Sequence, residues 1–153
     1  MTGAACVLCD RARGLDAGDP GWLLRTDRWG VSMHPAMPVP GWVAVQTMRH
    51  TEGLADVSRT EAAELGPLLS ALSQAVTRVT GSRRVYTYSL GEGCQHTHIL
   101  LGPPSAGLRG VAFIAALLGR DQTLADAATA EQTAIELAGA LSSQHQTMIG
   151  DIK

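Results

Sequence analysis

The sequence predicts an α+β domain, with a largely antiparallel sheet of about five strands packed against helices. Strand-like stretches occupy the first third of the chain, a long amphipathic helix follows, and two more strands come after it. The last third returns to helical patterns. Its 153 residues match the length of one ordinary domain. We divide it into a sheet-bearing domain, residues 1–104, and a C-terminal helical extension, residues 105–153, packed on the same domain.

Three strands are predicted in the first third of the chain. Residues 10–21 are rich in Gly, Asp and Arg and predict a loop. Two short apolar stretches, residues 22–25 and 28–33, are separated by two polar residues and predict a hairpin. A proline-rich loop then leads to residues 42–48, whose β-branched side chains are typical of a strand.

A long helix is predicted next. Ser58 and Glu61 have the spacing of a capping box, and Gly81 is a typical residue to end a helix. Between them, apolar residues recur every three or four positions and form one face for burial. Pro67 lies inside this pattern, so we expect the helix to kink or to restart there.

Two strands and further helices complete the chain. Residues 84–90 and 95–101 are predicted strands on either side of a glycine-rich turn. Residues 111–118 are almost all apolar and predict a helix. A last helical stripe follows Thr123 and Asp126, whose spacing resembles another cap.

Charge and hydropathy limit the classes of function. A net charge of −2 gives a phosphate backbone no general attraction, so we expect no nucleic-acid partner. No apolar run approaches the roughly 18–20 residues that cross a bilayer, so we expect no membrane partner. The first residues lack the basic start and apolar stretch of a secretion signal, which predicts a cytoplasmic protein.

The cysteines narrow the chemistry. The chain has three, Cys6, Cys9 and Cys94, and an odd number in a reducing compartment argues against a disulfide framework. Cys6 and Cys9 form a C-x-x-C, which is a redox pair, half of a zinc site or a coincidence. A redox pair usually lies at a strand-to-helix junction, whereas no strand precedes this one. Its position therefore favours zinc.

Histidines supply the other two candidate ligands. His96 and His98 alternate on a predicted strand, so they should project from one face about 6.5–7 Å apart. His50 closes the strand before the long helix. With Cys6 and Cys9, His50 and His96 make two thiolates and two imidazoles, the closed tetrahedral set of a structural zinc site. The alternative is that the two strand histidines are ordinary surface residues.

The order of these motifs resembles the histidine triad (HIT) superfamily, in its zinc-bearing C-x-x-C branch. The resemblance covers about residues 6–104, and residues 105–153 lie outside it. It depends on four segments, the C-x-x-C, Pro40-Gly41, Arg49-His50, and residues 89–92 ahead of the histidines. It implies a HIT-like fold with structural zinc, a small nucleotide-like substrate and a homodimer.

The HIT motif has three histidines, whereas this chain has two, so the triad is incomplete and two registers are open. In the first, His96 binds zinc, His98 is the nucleophile and Leu100 replaces the third histidine. In the second, Cys94 binds zinc, His96 is the nucleophile and His98 is the third histidine. Three residues separate the Gly91-Glu92 turn from His96, as in family members with a similar turn, which favours the first register.

The resemblance also implies roles for other residues. The neutral imidazole of His98 would attack the α-phosphorus of a nucleotide and form a phospho-histidine, which water then hydrolyses. His34 would contact the base or ribose, and Ser89, Gln95 and Thr97 would offer donors to the phosphoryl oxygens. Each of these four residues also has an ordinary explanation in a turn, a sheet or a solvated loop.

Two other functions stay open. The missing third histidine and the unmatched extension also fit a HIT-fold protein repurposed for other chemistry in a specialised biosynthetic pathway. A non-catalytic binding protein whose zinc only stabilises the fold is the third hypothesis. The fold does not choose among them, because function depends on the site.

Overall fold

In the part of the chain that the structure describes, five strands form one antiparallel sheet in the order β1-β2-β3-β5-β4, which confirms the predicted α+β class. The computed structural model describes residues 6–15, 21–34, 36–105 and 107–150. The strands are β1 Leu24–Arg25, β2 Trp29–Met33, β3 Val43–Thr47, β4 Tyr86–Tyr88 and β5 His98–Gly102. The helices are α1 Val7–Ala12, α2 Arg59–Thr80, α3 Gly110–Leu118 and α4 Ala127–Gly150, with 3-10 turns at Leu54–Asp56 and Gln122–Leu124.

One face of the sheet packs against α2 and α4 through an apolar core. Each large apolar side chain buried there contributes about 1.5–3 kcal/mol relative to exposure. The indole Nε1 of Trp29 donates to the Glu61 carbonyl at 3.0 Å, which ties β2 to the first turn of α2. The core residues are Trp29, Val31, Val43, Val45, Leu72, Ala75, Val76, Ile99, Leu101, Leu137 and Leu141.

The ends of α2 follow from local chemistry. Ser58 Oγ accepts the Glu61 N–H at 3.2 Å, and the Glu61 carboxylate accepts the Ser58 N–H at 2.7 Å, so the capping box is present. Gly81 ends the helix in the left-handed region with φ of 70°. The helix runs unbroken past Pro67, so the expected restart is wrong, whereas the expected kink stays a prediction.

The opposite face of the sheet is covered by α1 at one end and α3 at the other. Gln46 Nε2 donates to the Leu8 carbonyl at 2.9 Å, which fastens α1 to β3. Phe113 of α3 stacks on Trp42, with ring centroids 5.7 Å apart. Trp42 lies across Gly102, where an added Cβ would meet its ring at 2.5 Å. This face, which carries His98, is called the outer face below.

Three local predictions need correction. Residues 10–12 belong to α1 and not to a loop. The same helix contains Cys9. Strand β5 begins at His98 and not at Gln95, because the Thr97 N–H is taken by the Thr51 carbonyl at 2.6 Å. The cap before α4 is Asp126, which accepts the Thr129 N–H, whereas Thr123 bonds to Asp121.

The C-terminal helices pack on the same sheet as the rest of the chain. Leu137 and Leu141 of α4 join the core under α2, and Phe113 and Leu117 of α3 join the apolar cluster of the outer face. The domain boundary at residue 104 stays a prediction. Within the described ranges, no helix has the length and hydropathy to cross a bilayer.

Candidate functional site

Two cysteines and two histidines meet where α1 approaches the ends of β3 and β5. Cys6 is the N-cap of α1 and Cys9 lies three residues later, so both thiols share one side of the helix. His50 follows β3 and His96 precedes β5. The four ligand atoms, one from each residue, lie within 4.8 Å of one another. We call these residues the Cys/His cluster.

The distances in the Cys/His cluster match a tetrahedral metal. Cys6 Sγ lies 3.3 Å from His96 Nδ1, and Cys9 Sγ lies 3.3 Å from His50 Nδ1 and 3.5 Å from His96 Nδ1. Zinc bonds of about 2.0–2.3 Å place neighbouring tetrahedral ligands about 3.5 Å apart.

Hydrogen bonds outside the cluster orient both rings. His96 Nε2 donates to the Thr47 carbonyl at 2.9 Å, which leaves the Nδ1 lone pair facing the sulfurs. His50 Nε2 lies 3.7 Å from a Glu52 carboxylate oxygen. A metal-binding histidine commonly has such a partner on its second nitrogen, because the partner selects the tautomer and ring orientation.

The two thiols also favour a cation between them. Burial, with the hydrogen bond and charge of Cys6, raises the pKa of Cys9 to about 11. Burial opposes ionisation of Cys6 as well, but backbone and side-chain hydrogen bonds lower its pKa overall. One thiolate therefore disfavours the other unless a positive charge lies beside both. This donor set fits zinc, which would supply that charge.

Cys94 is outside the Cys/His cluster, although it lies close enough to Cys6 for the two thiols to interact electrostatically. Burial and the neighbouring Cys6 raise the pKa of the Cys94 thiol. The four-ligand group among the described residues contains His96 and not Cys94. This arrangement matches the first register, and the ligand roles themselves stay predictions.

His98 opens strand β5 on the outer face and is half-buried. Its Nδ1 lies 2.7 Å from the His96 carbonyl, which only accepts, so Nδ1 carries the proton. The lone pair of Nε2 is then available for a nucleophilic or basic role. His96 therefore links the Cys/His cluster to His98. Its ring faces the cluster, and its backbone carbonyl accepts the hydrogen bond from His98 Nδ1.

The structure does not gather the predicted substrate contacts around His98. Ser89 Oγ donates to the His98 carbonyl at 2.6 Å, which places it at the strand backbone. Thr97 is 4% exposed and its hydroxyl bonds within a buried pair with Thr51. Gln95 is exposed in the loop before β5. Gln95 is therefore accessible to a substrate, whereas the buried side chain of Thr97 is not.

His34 lies four residues beyond the His98 level of the sheet, beside Trp42, with ring centroids 6.5 Å apart. Its Nδ1 accepts the backbone N–H groups of Ala36 at 3.2 Å and Met37 at 3.3 Å. Burial, together with the nearby Arg120 charge, lowers the pKa of His34 to about 4. His34 is therefore a neutral ring that orders its loop, separate from His98.

Leu100 projects beside His98 but belongs to an apolar cluster. It is 8% exposed and packs in a group with Trp42 and Phe113. Tyr88 pairs with Leu100 across β4 and is half-buried. Position 100, which the first register assigns to the third histidine, is therefore covered by α3 of the C-terminal extension.

Three residues of the site were not anticipated. The Thr47 carbonyl accepts a hydrogen bond from His96, and the Glu52 carboxylate lies near His50. Both residues are within three positions of His50, and this proximity in sequence to a candidate ligand could have indicated them. Gln46 pairs with His98 in the sheet, and its buried Oε1 has no hydrogen-bond partner among the described residues. A polar residue inside a buried strand is the signal for Gln46.

Comparison with known proteins supports the fold. Neither a family model nor a curated protein matches the sequence. A hypothetical histidine triad nucleotide-binding protein from Sulfolobus tokodaii superposes with a TM-score of 0.69 and 13% identity, covering 97% of this chain and 99% of that one.

Two more solved structures are informative. A zinc-bound histidine triad family protein from Mycobacterium smegmatis has a TM-score of 0.67 and 14% identity, and covers 94% of this chain and 97% of its own. Diadenosine triphosphate hydrolase from Plasmodium falciparum has a TM-score of 0.56 and 13% identity, and covers 82% of this chain and 76% of its own. At these identities the likeness shows the fold: the chain has the HIT-like fold that its motifs predicted.

Proposed function

We propose that this protein hydrolyses or transfers a nucleotidyl group through a phospho-histidine at His98, with a structural zinc in the Cys/His cluster. The observation that carries the proposal is the hydrogen bond from His98 Nδ1 to the His96 carbonyl at 2.7 Å. It holds the ring in one tautomer, so that Nε2 has a free lone pair. The likeness to a diadenosine triphosphate hydrolase supports the substrate class.

The covalent step is a displacement at phosphorus. Nε2 of His98 attacks the α-phosphorus of a nucleotide ester, anhydride or phosphoramidate, and the bond to the leaving group breaks with its electron pair. The leaving group takes a proton from solvent. Water then attacks the phospho-histidine, releases the nucleoside monophosphate and a proton, and restores the neutral ring.

Zinc has a structural part in this proposal. When bound, it would supply the positive charge that stabilises two neighbouring thiolates, and Cys6, Cys9, His50 and His96 would hold it. His96, fixed by the cluster and by Thr47, presents its carbonyl to His98. The cluster therefore orients the nucleophile through the backbone.

The site has few hydrogen-bond donors for the phosphoryl oxygens among the described residues near His98. Leu100 offers none, and the Ser89 hydroxyl proton is engaged by the His98 carbonyl. Gln95 and the backbone amides of Gly91 and Gly93, all exposed in the loop before β5, are the available donors. This scarcity favours the second candidate function, the HIT-like fold with another chemistry on a related small molecule.

The test is turnover of adenosine 5′-phosphoramidate and diadenosine triphosphate by the zinc-loaded protein and by His98→Ala. We expect the variant to lose about 1,000-fold or more in kcat, because no other nucleophile replaces the ring. Rapid acid quench and mass spectrometry should locate a nucleotidyl adduct on the peptide that contains His98.

The matched control is Thr87→Ala, an exposed residue of the neighbouring strand, which should keep wild-type turnover. Full turnover by folded, zinc-loaded His98→Ala would refute the proposal. Absence of turnover by the wild-type protein on both substrates would favour the second candidate function.

We include a homodimer in the proposal. The outer side of α3 is apolar and exposed, with Val111 86% and Leu118 50% exposed, and a helix apolar on all sides is usually covered. Sedimentation velocity over a range of concentrations, with Leu118→Glu as the variant, measures it. A wild-type protein that stays monomeric throughout would contradict this part.

A further inference from the structure

An open cleft of about 410 Å³ lies at the far end of the sheet from His98. Its walls come from the end of α2, the segment before β4 and the segment between β5 and α3. Pro104, on one wall, follows His98 by six residues along the direction of β5, which is about 20 Å of extended chain. The cleft is therefore separate from the candidate active site. Residues along it include Thr80, Ser82, Arg83, Arg84, Pro104 and Arg109.

Three guanidinium groups share this cleft without a carboxylate to neutralise them. Arg83, Arg84 and Arg109 line it, and its wall contains no acidic residue. None of the three forms an ion pair with a carboxylate of the described residues. Arg28 and Arg49, in contrast, each pair with a glutamate of α2 at 2.7 Å. The cleft thus concentrates unpaired positive charge.

The sequence around the cleft reinforces this charge. Residues 65–120 contain five arginines and a single acidic residue, Glu92, although the whole chain has a net charge of −2. Folding brings Arg109 to Arg83 and Arg84 across 25 positions of sequence. The cleft is therefore locally positive on a protein whose net charge is negative. Such a cleft attracts a small anion, whereas a long polyanion would also meet the negative charge of the remaining surface.

The start of α3 places the positive end of a helix dipole beside Arg109. Arg109 is the N-cap of this nine-residue helix, whose first turn has no acidic residue and no side-chain cap. The Gly110 N–H donates to the Tyr86 hydroxyl at 2.8 Å, which fixes the helix start against β4. The positive end of the helix dipole therefore lies next to the three guanidinium groups.

We propose that the Arg83, Arg84 and Arg109 cleft binds a small molecule carrying two or more phosphate groups. Guanidinium groups match phosphate oxygens with paired N–H donors, and three of them balance the charge of a diphosphate. The volume suits a diphosphate with part of its attached group. This site is independent of the proposed chemistry at His98.

The experiment titrates pyrophosphate into the zinc-loaded, full-length protein and follows backbone amide NMR shifts, with zinc content measured before and after. The expected result is saturable shifts at Ser82 and Gly110 that weaken as ionic strength rises. Arg109→Gln and the double variant Arg83→Gln/Arg84→Gln should each weaken binding by about tenfold or more.

Arg59→Gln is the matched control, because Arg59 is an exposed arginine at the opposite end of α2. It should bind pyrophosphate as the wild-type protein does, and thermal melts should show all variants folded. Equal binding by Arg109→Gln, or no saturable shift at Ser82 and Gly110, would overturn the site. So would binding of a single-stranded RNA oligonucleotide at these amides without any response to pyrophosphate.

Discussion

His98 and Leu100 project from the outer face of the sheet two residues apart, and they belong to two differently built regions. Around His98, polar groups meet: its ring bonds to the His96 carbonyl, and His96 in turn bonds to Thr47 and faces the Cys/His cluster. Around Leu100, apolar side chains meet beneath α3. We call them the histidine half and the apolar half.

The difference lies in what covers each half. The short helix α1 brings thiols and a backbone carbonyl to the histidine half, whereas α3 brings Phe113 and Leu117 to the apolar half. One strand can therefore change from a chemical surface to a core within two residues. Leu100 is a core residue of this chain, packed in one apolar cluster with Phe113 and Leu117 of α3.

The largest effect should come from breaking the cluster that anchors the histidine half. Cys9→Ser removes a predicted zinc ligand and should cost about 5 kcal/mol or more, since structural zinc supplies folding free energy on this scale. Zinc content by mass spectrometry and the free energy of unfolding by urea measure it. Cys94→Ser is the control and should retain one zinc per chain. Loss of zinc from Cys94→Ser would support the second register, in which Cys94 binds the metal.

A smaller effect is expected from opening the apolar half. Phe113→Ala leaves a cavity against Trp42 and should destabilise the protein by about 3–5 kcal/mol without loss of zinc. Thermal and urea unfolding measure the change. Ile135→Ala, at an exposed position of α4, should cost far less, and equal losses for the two variants would show that α3 does not cover this half.

A histidine placed at position 100 tests the comparison directly. Leu100→His places an imidazole among apolar groups and should cost about 2–4 kcal/mol, with no gain in kcat on nucleotide substrates. Stability and turnover are measured together, with Thr87→His, at an exposed position of the neighbouring strand, as the control. A stable variant with faster turnover would mean that position 100 belongs to the histidine half.

The smallest predicted effect is a pH dependence from His34 in the apolar half. Its pKa is about 4 in the folded protein, below the ordinary 6.5, because burial disfavours the charged ring. The unfolded chain therefore takes up the proton first, so stability present above pH 6.5 is lost as pH falls toward 4. The loss should be about 1–3 kcal/mol.

The measurement for His34 is the difference in unfolding free energy between wild type and His34→Gln at pH 7 and pH 5. Protonation of the Cys/His cluster acts on both proteins alike, so the difference isolates His34. A constant difference between the two pH values would show that His34 is freely solvated.

Features with a local cause were predictable from the sequence. Ser58, Glu61 and Gly81 define the ends of α2 because capping depends on residues three or four positions apart. Cys6, Cys9, His50 and His96 could be grouped because thiol and imidazole pairs at such spacings are typical of zinc sites, and the structure brings them together. Their role as ligands stays a prediction.

Features with a distant cause were not predictable in the same way. The start of β5 depends on Thr51, forty-six positions from its partner Thr97, which takes that residue out of the strand ladder. The burial of Leu100 depends on where α3 packs, and the apolar pattern of α3 does not specify which face it covers. Tertiary contacts of this kind leave no periodic signal around the residues they change.

The two buried indoles lie on opposite sides of the sheet, which gives the molecule a separate optical reporter for each side. Trp29 donates to Glu61 beneath α2, and Trp42 stacks on Phe113 beneath α3. Variants that retain one indole would therefore emit from one layer alone. Fluorescence during refolding would then reveal whether the layer under α3 assembles with the rest or after it.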